Sequence, residues 1–86
     1  MRVSIRLFGA FRQFQADDIL ELDCPGARIV ADVRGALDAY GLARWNGFSS
    51  SLLRTSAFAT ESELLSAGSA IPADGQLAII PPVSGG

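Results

Sequence analysis

The chain has 86 residues, a mass of 9.0 kDa and a formal net charge of −2, a length that fits one domain. Hydrophobic residues make up 49% and charged residues 19%, which predicts a packed globular chain rather than a disordered one. Its only cationic side chains are seven Arg, against nine Asp and Glu, which argues against nucleic-acid binding because no basic surface can dominate.

The residue inventory also excludes several kinds of catalytic site. There is no His, no Lys and only one cysteine, Cys24. Serine–histidine and cysteine–histidine catalysis, Schiff-base chemistry and an intramolecular disulfide are therefore excluded, and we expect no metal site and no bound cofactor. Cys24 itself fits a small inward-facing residue of a strand, with a persulfide relay as the alternative.

Two segments near the start, residues 2–8 and 17–24, alternate between inward apolar and outward side chains, which is the period of a half-buried strand. Residues 9–16 connect them over a distance longer than a tight turn, and Pro25-Gly26 ends the second segment. The predicted inward residues are Val3, Ile5, Leu7, Leu20, Leu22 and Cys24.

A helix is predicted over residues 30–40. Apolar residues recur there at helical spacing, and Gly41 is the predicted C-terminal cap. Gly35 lies inside the helix, where glycine costs about 1 kcal/mol relative to alanine. The segment offers no Ser, Thr, Asp or Asn at the position where an N-cap is wanted. The predicted stripe consists of Val30, Val33, Leu37 and Tyr40.

The second half of the chain is less regular. Residues 42–51 read as a loop, in which Trp45 and Phe48 either pack under the chain or contribute to an interface. Residues 52–58 are a predicted strand, residues 61–67 fit either a short strand or a helical turn, and residues 72–75 are a turn. Residues 77–80 are a short apolar strand, which Pro81 and Pro82 end because proline has no N–H.

This order of elements predicts an α+β fold with a mixed sheet and one main helix packed on one face, leaving the other face partly bare. Arg6 interrupts the first apolar run too early for a signal peptide, and no stretch approaches about 18 apolar residues. We therefore expect a cytoplasmic protein without a membrane partner, and the lone thiol agrees with a reducing compartment.

The last residues carry the strongest functional signal. We expect a domain over residues 1–82 and a flexible tail over residues 83–86, in which Pro81 and Pro82 hold Gly85 and Gly86 away from the domain. Glycine has no side chain, so a Gly-Gly end can thread a narrow channel in a partner enzyme. Adenylation of the Gly86 carboxylate, followed by displacement of AMP by sulfide, would leave a thiocarboxylate. The alternative is an inert, frayed terminus.

Strand alternation also predicts where a partner docks. If Val3, Ile5 and Leu7 face the helix, Phe8 faces the other way, and Ile80 does so in the last strand. A crossover connection would make these two strands parallel neighbours. Phe8 and Ile80 would then form an exposed apolar patch at the base of the tail, unless they are ordinary isolated surface residues.

At this point the sequence resembles a known family. Residues 81–86, Pro-Pro-Val-Ser-Gly-Gly, closely resemble the C-terminus of the MoaD family, the small sulfur-carrier subunits of molybdopterin synthase. Residues 8–12, Phe-Gly-Ala-Phe-Arg, are similar to the turn after that family's opening strand. The resemblance covers the whole chain and implies the ubiquitin-like β-grasp fold. The sequence departs from the family at Gln13, where an acidic residue is usual, and in residues 43–51, which match poorly. The turn before the last strand is one residue short, since Gln76 follows Gly75 directly where the family usually has a second acidic residue after Asp-Gly.

The resemblance implies a sulfur-transfer cycle in molybdenum cofactor biosynthesis. A MoeB-like adenylating enzyme would use ATP and magnesium to adenylate Gly86, and a sulfurtransferase would supply the sulfur for a thiocarboxylate. The tail would then enter the large catalytic subunit of molybdopterin synthase, a MoaE-like protein, in a heterotetramer. The sulfur would pass there to cyclic pyranopterin monophosphate, and this chain would be the non-catalytic, sulfur-donating subunit. By analogy Gly85 belongs to the reactive tail, and Phe8, Ile80, Pro81, Pro82 and Val83 contact partners.

Three other functions compete with this one. The chain could carry sulfur for another pathway, such as thiamine or cysteine synthesis, although relatives in those pathways usually lack the full diproline. It could be a ubiquitin-like modifier joined to lysines of other proteins, since such modifiers also end in Gly-Gly. It could also be a binding module whose tail is inert.

Overall fold

The computed structural model describes residues 1–82, and its architecture follows from the alternation in the first two strands. Residues 83–86, including the predicted tail residues Val83, Gly85 and Gly86, lie outside the described residues. The elements in chain order are β1 (Arg2–Leu7), a 3-10 helix (Gly9–Phe14), β2 (Ile19–Asp23), α1 (Val30–Arg44), α2 (Ser50–Arg54), β3 (Ala57–Ala59), β4 (Leu64–Leu65) and β5 (Gln76–Ile80).

The five strands form one mixed sheet in the order β2–β1–β5–β3–β4. Strand β1 pairs antiparallel with β2 and parallel with β5. Strand β3 pairs antiparallel with both β5 and β4. The predicted α+β fold, with a mixed sheet and one main helix, is therefore confirmed, as is the parallel pairing of the first and last strands.

The core lies between the inner face of the sheet and α1. Every inward residue predicted for the first two strands is buried, as are Val30, Val33 and Leu37 of α1, and none of these side chains is more than 6% exposed. Tyr40, the last residue of the predicted stripe, packs against this core but is only half-buried. The sequence periodicity thus assigned the correct faces of β1, β2 and α1.

The start of α1 is capped without a capping side chain at its N-cap position. Ile29 occupies that position and has no side-chain acceptor. Instead, Asp32 Oδ2 accepts hydrogen bonds from the N–H groups of Arg28 and Ile29, at 2.9 and 3.1 Å. The first N–H groups of the helix are bound by the loop between β4 and β5, since Val30 N donates to the Ser69 carbonyl at 2.9 Å. These bonds satisfy donors that a helix N-terminus otherwise leaves unpaired.

The predicted C-terminal cap at Gly41 is wrong, because α1 continues through it to Arg44. The backbone N–H of Trp45, the C-cap residue, donates to the Gly41 carbonyl at 2.9 Å. Gly41 is required by packing and not by a left-handed turn. A Cβ there would lie 2.8 Å from carbon atoms of the Phe48 ring, so the absence of a side chain lets the ring approach the helix backbone.

Residues 42–51 were predicted as a loop and residues 52–58 as a strand, and both predictions are partly wrong. The helix α2 lies in this region, with Ser49 as its N-cap, whose Oγ accepts a hydrogen bond from Leu52 N at 3.4 Å. The Arg34 guanidinium donates to the carbonyls of Leu53 and Ser56 at the other end of α2. The helix therefore depends on a side chain from α1, and β3 is left with only three residues.

The remaining connections are short and specific. Residues 9–14 form a 3-10 helix, and residues 61–67 contain the two-residue strand β4, which settles that ambiguity. The predicted turn at residues 72–75 is closed by a hydrogen bond from Gly75 N to the Pro72 carbonyl, at 2.9 Å. No helix within residues 1–82 is long and apolar enough to span a membrane.

Trp45 and Phe48 pack within the domain. Trp45 is buried and stacks on Phe14 with ring centroids 5.0 Å apart, while Phe48 meets both rings edge-on. The Trp45 indole N–H donates to Gln15 Oε1 at 3.3 Å. Of the two alternatives for these aromatic residues, the structure shows packing beneath the 42–51 segment.

Candidate functional site

The outer face of the sheet is the side that points away from α1. The parallel pairing aligns Leu7 of β1 with Ile79 of β5, so the next residues, Phe8 and Ile80, follow side by side. Phe8 lies just beyond β1 in extended backbone and is 42% exposed, and Ile80 ends β5 at 37% exposed. The structure therefore brings the two predicted docking residues together at one end of the outer face.

Two further apolar residues extend this surface. Arg6 aligns with Ile19 of β2 on one side and with Ala78 of β5 on the other. Ile19 is 40% exposed and lines the same shallow concavity as Phe8 and Ile80. We call the set of Phe8, Ile19, Ala78 and Ile80 the apolar patch. Ile19 is not among the predicted docking residues, although the alternation of the second strand already places it on the outer face.

The other end of the outer face is polar. Ser4 of β1 aligns with Glu21 of β2 and with Gln76 of β5. The Ser4 hydroxyl donates to Glu21 Oε2, and Arg2 Nε lies 3.6 Å from Glu21 Oε1. The outer face thus changes from polar to apolar along β1 and β5, toward the end where the chain leaves β5.

The route by which the chain leaves the sheet is set by a close contact between Gly9 and Pro81. Gly9 has a φ of +54°, which disfavours any residue with a side chain. A Cβ on Gly9 would lie 2.6 Å from Pro81 Cγ. Pro81 is half-buried by such neighbours, whereas Pro82 is exposed. The first proline of the pair is therefore held against the turn after β1.

Cys24 lies far from this site. It follows β2 at the end of the sheet where Arg2 aligns with Asp23, opposite the apolar patch. The side chain is 3% exposed, and burial raises the pKa of the thiol, so the reactive thiolate is disfavoured. The structure thus supports a packing role.

Within residues 1–82, no group of three His, Cys, Asp or Glu side chains is arranged to hold a metal ion. What the described residues offer is a contact surface beside the exit of the chain from β5. The roles predicted for Phe8, Ile80, Pro81 and Pro82 in binding partners stay predictions, and those of Val83, Gly85 and Gly86 fall outside the described residues.

Comparison with known proteins supports the fold. No protein-family model matches the sequence, and no curated protein matches it. The crystal structure of SAMP1 from Haloferax volcanii, a ubiquitin-like small archaeal modifier protein, is similar over 100% of both chains, with 27% identity and a TM-score of 0.70. The chain has a ubiquitin-like β-grasp fold. This agrees with the fold that the family resemblance implied.

Proposed function

We propose that this chain is a sulfur carrier and acts as the small subunit of molybdopterin synthase. In this function the carboxylate of Gly86 attacks the α-phosphorus of ATP, bound with magnesium by an adenylating enzyme, and pyrophosphate leaves. The terminal sulfur of a sulfurtransferase persulfide then displaces AMP to form an acyl disulfide, and a thiol reduces that disulfide to release the thiocarboxylate. The large catalytic subunit receives that sulfur for cyclic pyranopterin monophosphate. The chain supplies the acyl group and the docking surface, and its partners supply the catalytic groups.

One observation carries the proposal: the exposed pair Phe8 and Ile80 lies where β5 passes into Pro81 and Pro82. A partner that covers this pair would lie next to the point from which the chain continues beyond Pro82. Apolar area of this kind, beside the start of the proposed substrate segment, favours a protein that binds the domain while it acts on the segment. The full-length similarity to SAMP1 supports a fold of the carrier and modifier type.

A second candidate function is a ubiquitin-like protein modifier, with which the similarity to SAMP1 agrees as well as it does with a carrier. In that function the adenylated Gly86 would pass to a lysine of another protein and form an isopeptide bond. The chain has no Lys of its own, so conjugation to copies of itself through a side-chain amine is excluded. The two functions share the activation step and differ in the group that receives the acyl carbon.

Intact-mass spectrometry separates these functions. The purified chain would be incubated with ATP, magnesium, the same organism's adenylating enzyme and a sulfurtransferase with its sulfur donor. The mass of a carrier increases by about 16 Da, because one carboxylate oxygen is replaced by a sulfur atom, and that sulfur is nucleophilic like a thiolate. Addition of the large subunit and cyclic pyranopterin monophosphate should then return the original mass and yield molybdopterin. Thiocarboxylate that forms but yields no molybdopterin would point to another sulfur pathway, and conjugates on other proteins would point to the modifier.

A further inference from the structure

Arg6 places a positive charge inside the apolar patch. It is an exposed residue of β1, its cross-strand neighbours are Ile19 and Ala78, and Phe8 lies two residues further along the outer face. A guanidinium group with apolar neighbours on three sides is unusual for a surface that contacts only solvent.

The carboxylate that lies one register position from Arg6 on β2, that of Glu21, already has other partners. Glu21 aligns with Ser4, one position along the sheet from Arg6. Glu21 accepts a hydrogen bond from the Ser4 hydroxyl and lies 3.6 Å from Arg2 Nε. Among residues 1–82, Arg6 forms neither an ion pair nor a side-chain hydrogen bond. Its charge is therefore available to a docked molecule.

A partner that covers the apolar patch must compensate the positive charge of Arg6. Removing water from a guanidinium without supplying an anion is strongly unfavourable, so a purely apolar partner surface would bind poorly. The planar guanidinium matches a carboxylate, which it can bind through two parallel hydrogen bonds. A polyanion fits less well, because Glu61 and Asp74 line the same concavity and the chain has a net charge of −2.

We infer that the adenylating enzyme binds the apolar patch with an apolar surface that contains one Asp or Glu, and that this carboxylate pairs with Arg6. The inference rests on the proposed function, because it assumes that the tail is adenylated by a separate enzyme. Arg6 is then a specificity residue. Phe8 and Ile80 supply apolar area to any partner, whereas Arg6 selects partners that present a carboxylate at one point.

ATP–pyrophosphate exchange with the same organism's adenylating enzyme tests this inference, because it measures KM for the chain separately from kcat. Arg6→Gln should raise KM at least about 30-fold, since it leaves the partner carboxylate buried and unpaired. Its kcat should change less than about threefold, because Gly86 is intact. Arg6→Leu should be at least as harmful, and Arg6→Lys should retain part of the affinity as a less well matched cation.

Arg2→Gln is the matched control. It removes the same charge from the same strand and the same face, but at the polar end, where Arg2 already faces Glu21. Its KM should stay within about threefold of the wild-type value, as for a rim charge. The unfolding midpoints of all the Arg6 variants should match that of the wild type, because the Arg6 side chain forms no hydrogen bond or ion pair within residues 1–82.

Several results would overturn the inference. Equal KM values for Arg6→Gln and Arg2→Gln would show that no carboxylate meets Arg6, while the proposed function would stand because adenylation continues. Arg6→Leu binding as tightly as the wild type would show that only the aliphatic part of Arg6 is used. A wild-type KM that does not rise with salt would indicate an aromatic partner instead of a carboxylate. If the wild-type chain is not adenylated at all, the proposed function fails and the inference fails with it.

Discussion

Gly9 and Pro81 lie against each other at the point where the chain leaves the sheet. Gly9→Ala would place a side chain in the left-handed region and 2.6 Å from Pro81 Cγ. We expect a loss of about 1–3 kcal/mol of folding stability, from backbone strain together with the steric overlap. Urea unfolding measures this loss.

A double-mutant cycle separates the two causes. Pro81→Ala removes the Cγ and Cδ atoms that lie 2.6 and 3.4 Å from the added Cβ. Gly9→Ala should therefore cost less in the Pro81→Ala background than in the wild type, while the cost of backbone strain is common to both. Equal costs in the two backgrounds would mean that Pro81 does not rest on Gly9.

Asp32 shows how a single carboxylate can replace a missing N-cap. Hydrogen bonds from the backbone N–H groups of Arg28 and Ile29 lower the pKa of Asp32 below its usual value of 3.8. A lowered folded-state pKa stabilises the fold above the usual value, and that contribution is lost as pH falls through the folded-state pKa. Asp32→Asn should therefore be less stable than the wild type at neutral pH, and the difference should shrink in strong acid.

Unfolding free energies measured from neutral pH down to pH of about 2 check this expectation. Asp38→Asn is the control, because it removes the same charge from α1 beyond the first turn. A difference between the wild type and Asp32→Asn that stays constant with pH would show that the carboxylate charge does not cap the helix.

At the scale of elements, α1 shows what periodicity predicts and what it misses. The stripe of Val30, Val33 and Leu37 could be predicted because burial follows the 3.6-residue repeat. The end of the helix could not, since Gly41 reads as a cap until Phe48 is known to pack against it. Likewise Ser49 reads as a loop residue in the sequence, although it is the N-cap of α2. That short helix is stabilised by hydrogen bonds from Arg34 of α1, which the local sequence does not indicate. Tertiary contacts decide both cases.

The two glycines inside α1 should respond to alanine in opposite directions. Gly35 has nothing within 4 Å of an added Cβ, so Gly35→Ala should stabilise the protein by up to about 1 kcal/mol through helix propensity. Gly41→Ala would bring Cβ to 2.8 Å from the Phe48 ring. We expect it to destabilise by about 1–2 kcal/mol, since overpacking exceeds the gain in propensity.

Denaturant unfolding of both variants provides the comparison, because each serves as the control for the other in the same helix. A stabilising Gly41→Ala would mean that the Phe48 ring moves aside at little cost. The absence of a side chain at position 41 would then have no role in packing.

At the scale of the whole molecule, the parallel pairing of β1 and β5 brings together residues that are far apart in sequence. The faces of Phe8 and Ile80 could be predicted from alternation, and their proximity followed from the crossover connection. The position of Leu64 could not be predicted, because a two-residue strand has no periodicity. Arg6 was visible as an outward residue, but its isolation depends on Glu21 pairing elsewhere, which requires the register.

The apolar patch should be needed for partner binding and not for folding. Phe8→Asp and Ile80→Asp place a charge at exposed positions, so the folded domain should persist. Each should weaken binding to the large subunit by several kcal/mol, because the substitution removes apolar contact area and a carboxylate must lose its water in the interface. Leu64→Asp is the control, since Leu64 is 70% exposed at the far edge of the sheet. Calorimetric titration measures the affinities, and equal effects at all three positions would contradict the patch.

Deletion of Gly86 tests the end of the chain. Strand β5 ends at Ile80, and the core is formed by residues before it, so stability should change by less than about 0.5 kcal/mol. The reactive carbon of the proposed carrier is the Gly86 carboxyl, and without it the new terminus falls up to about 3.6 Å short of its place in a partner's active site. Since a misplacement of about 1 Å can cost about a hundredfold in rate, sulfur transfer should fall by at least that factor.

Thiocarboxylate formation measured by mass, followed by molybdopterin production with the large subunit, reports this loss. Gly85→Ala should have a smaller effect, because it keeps the terminus in place and adds only a methyl group to a backbone that must thread a narrow channel. The order of activities should thus be wild type, Gly85→Ala and then the deletion, with equal unfolding midpoints. Full activity in the deletion variant would contradict the proposed carrier function, because the Gly86 carboxyl would then not be the required acyl group.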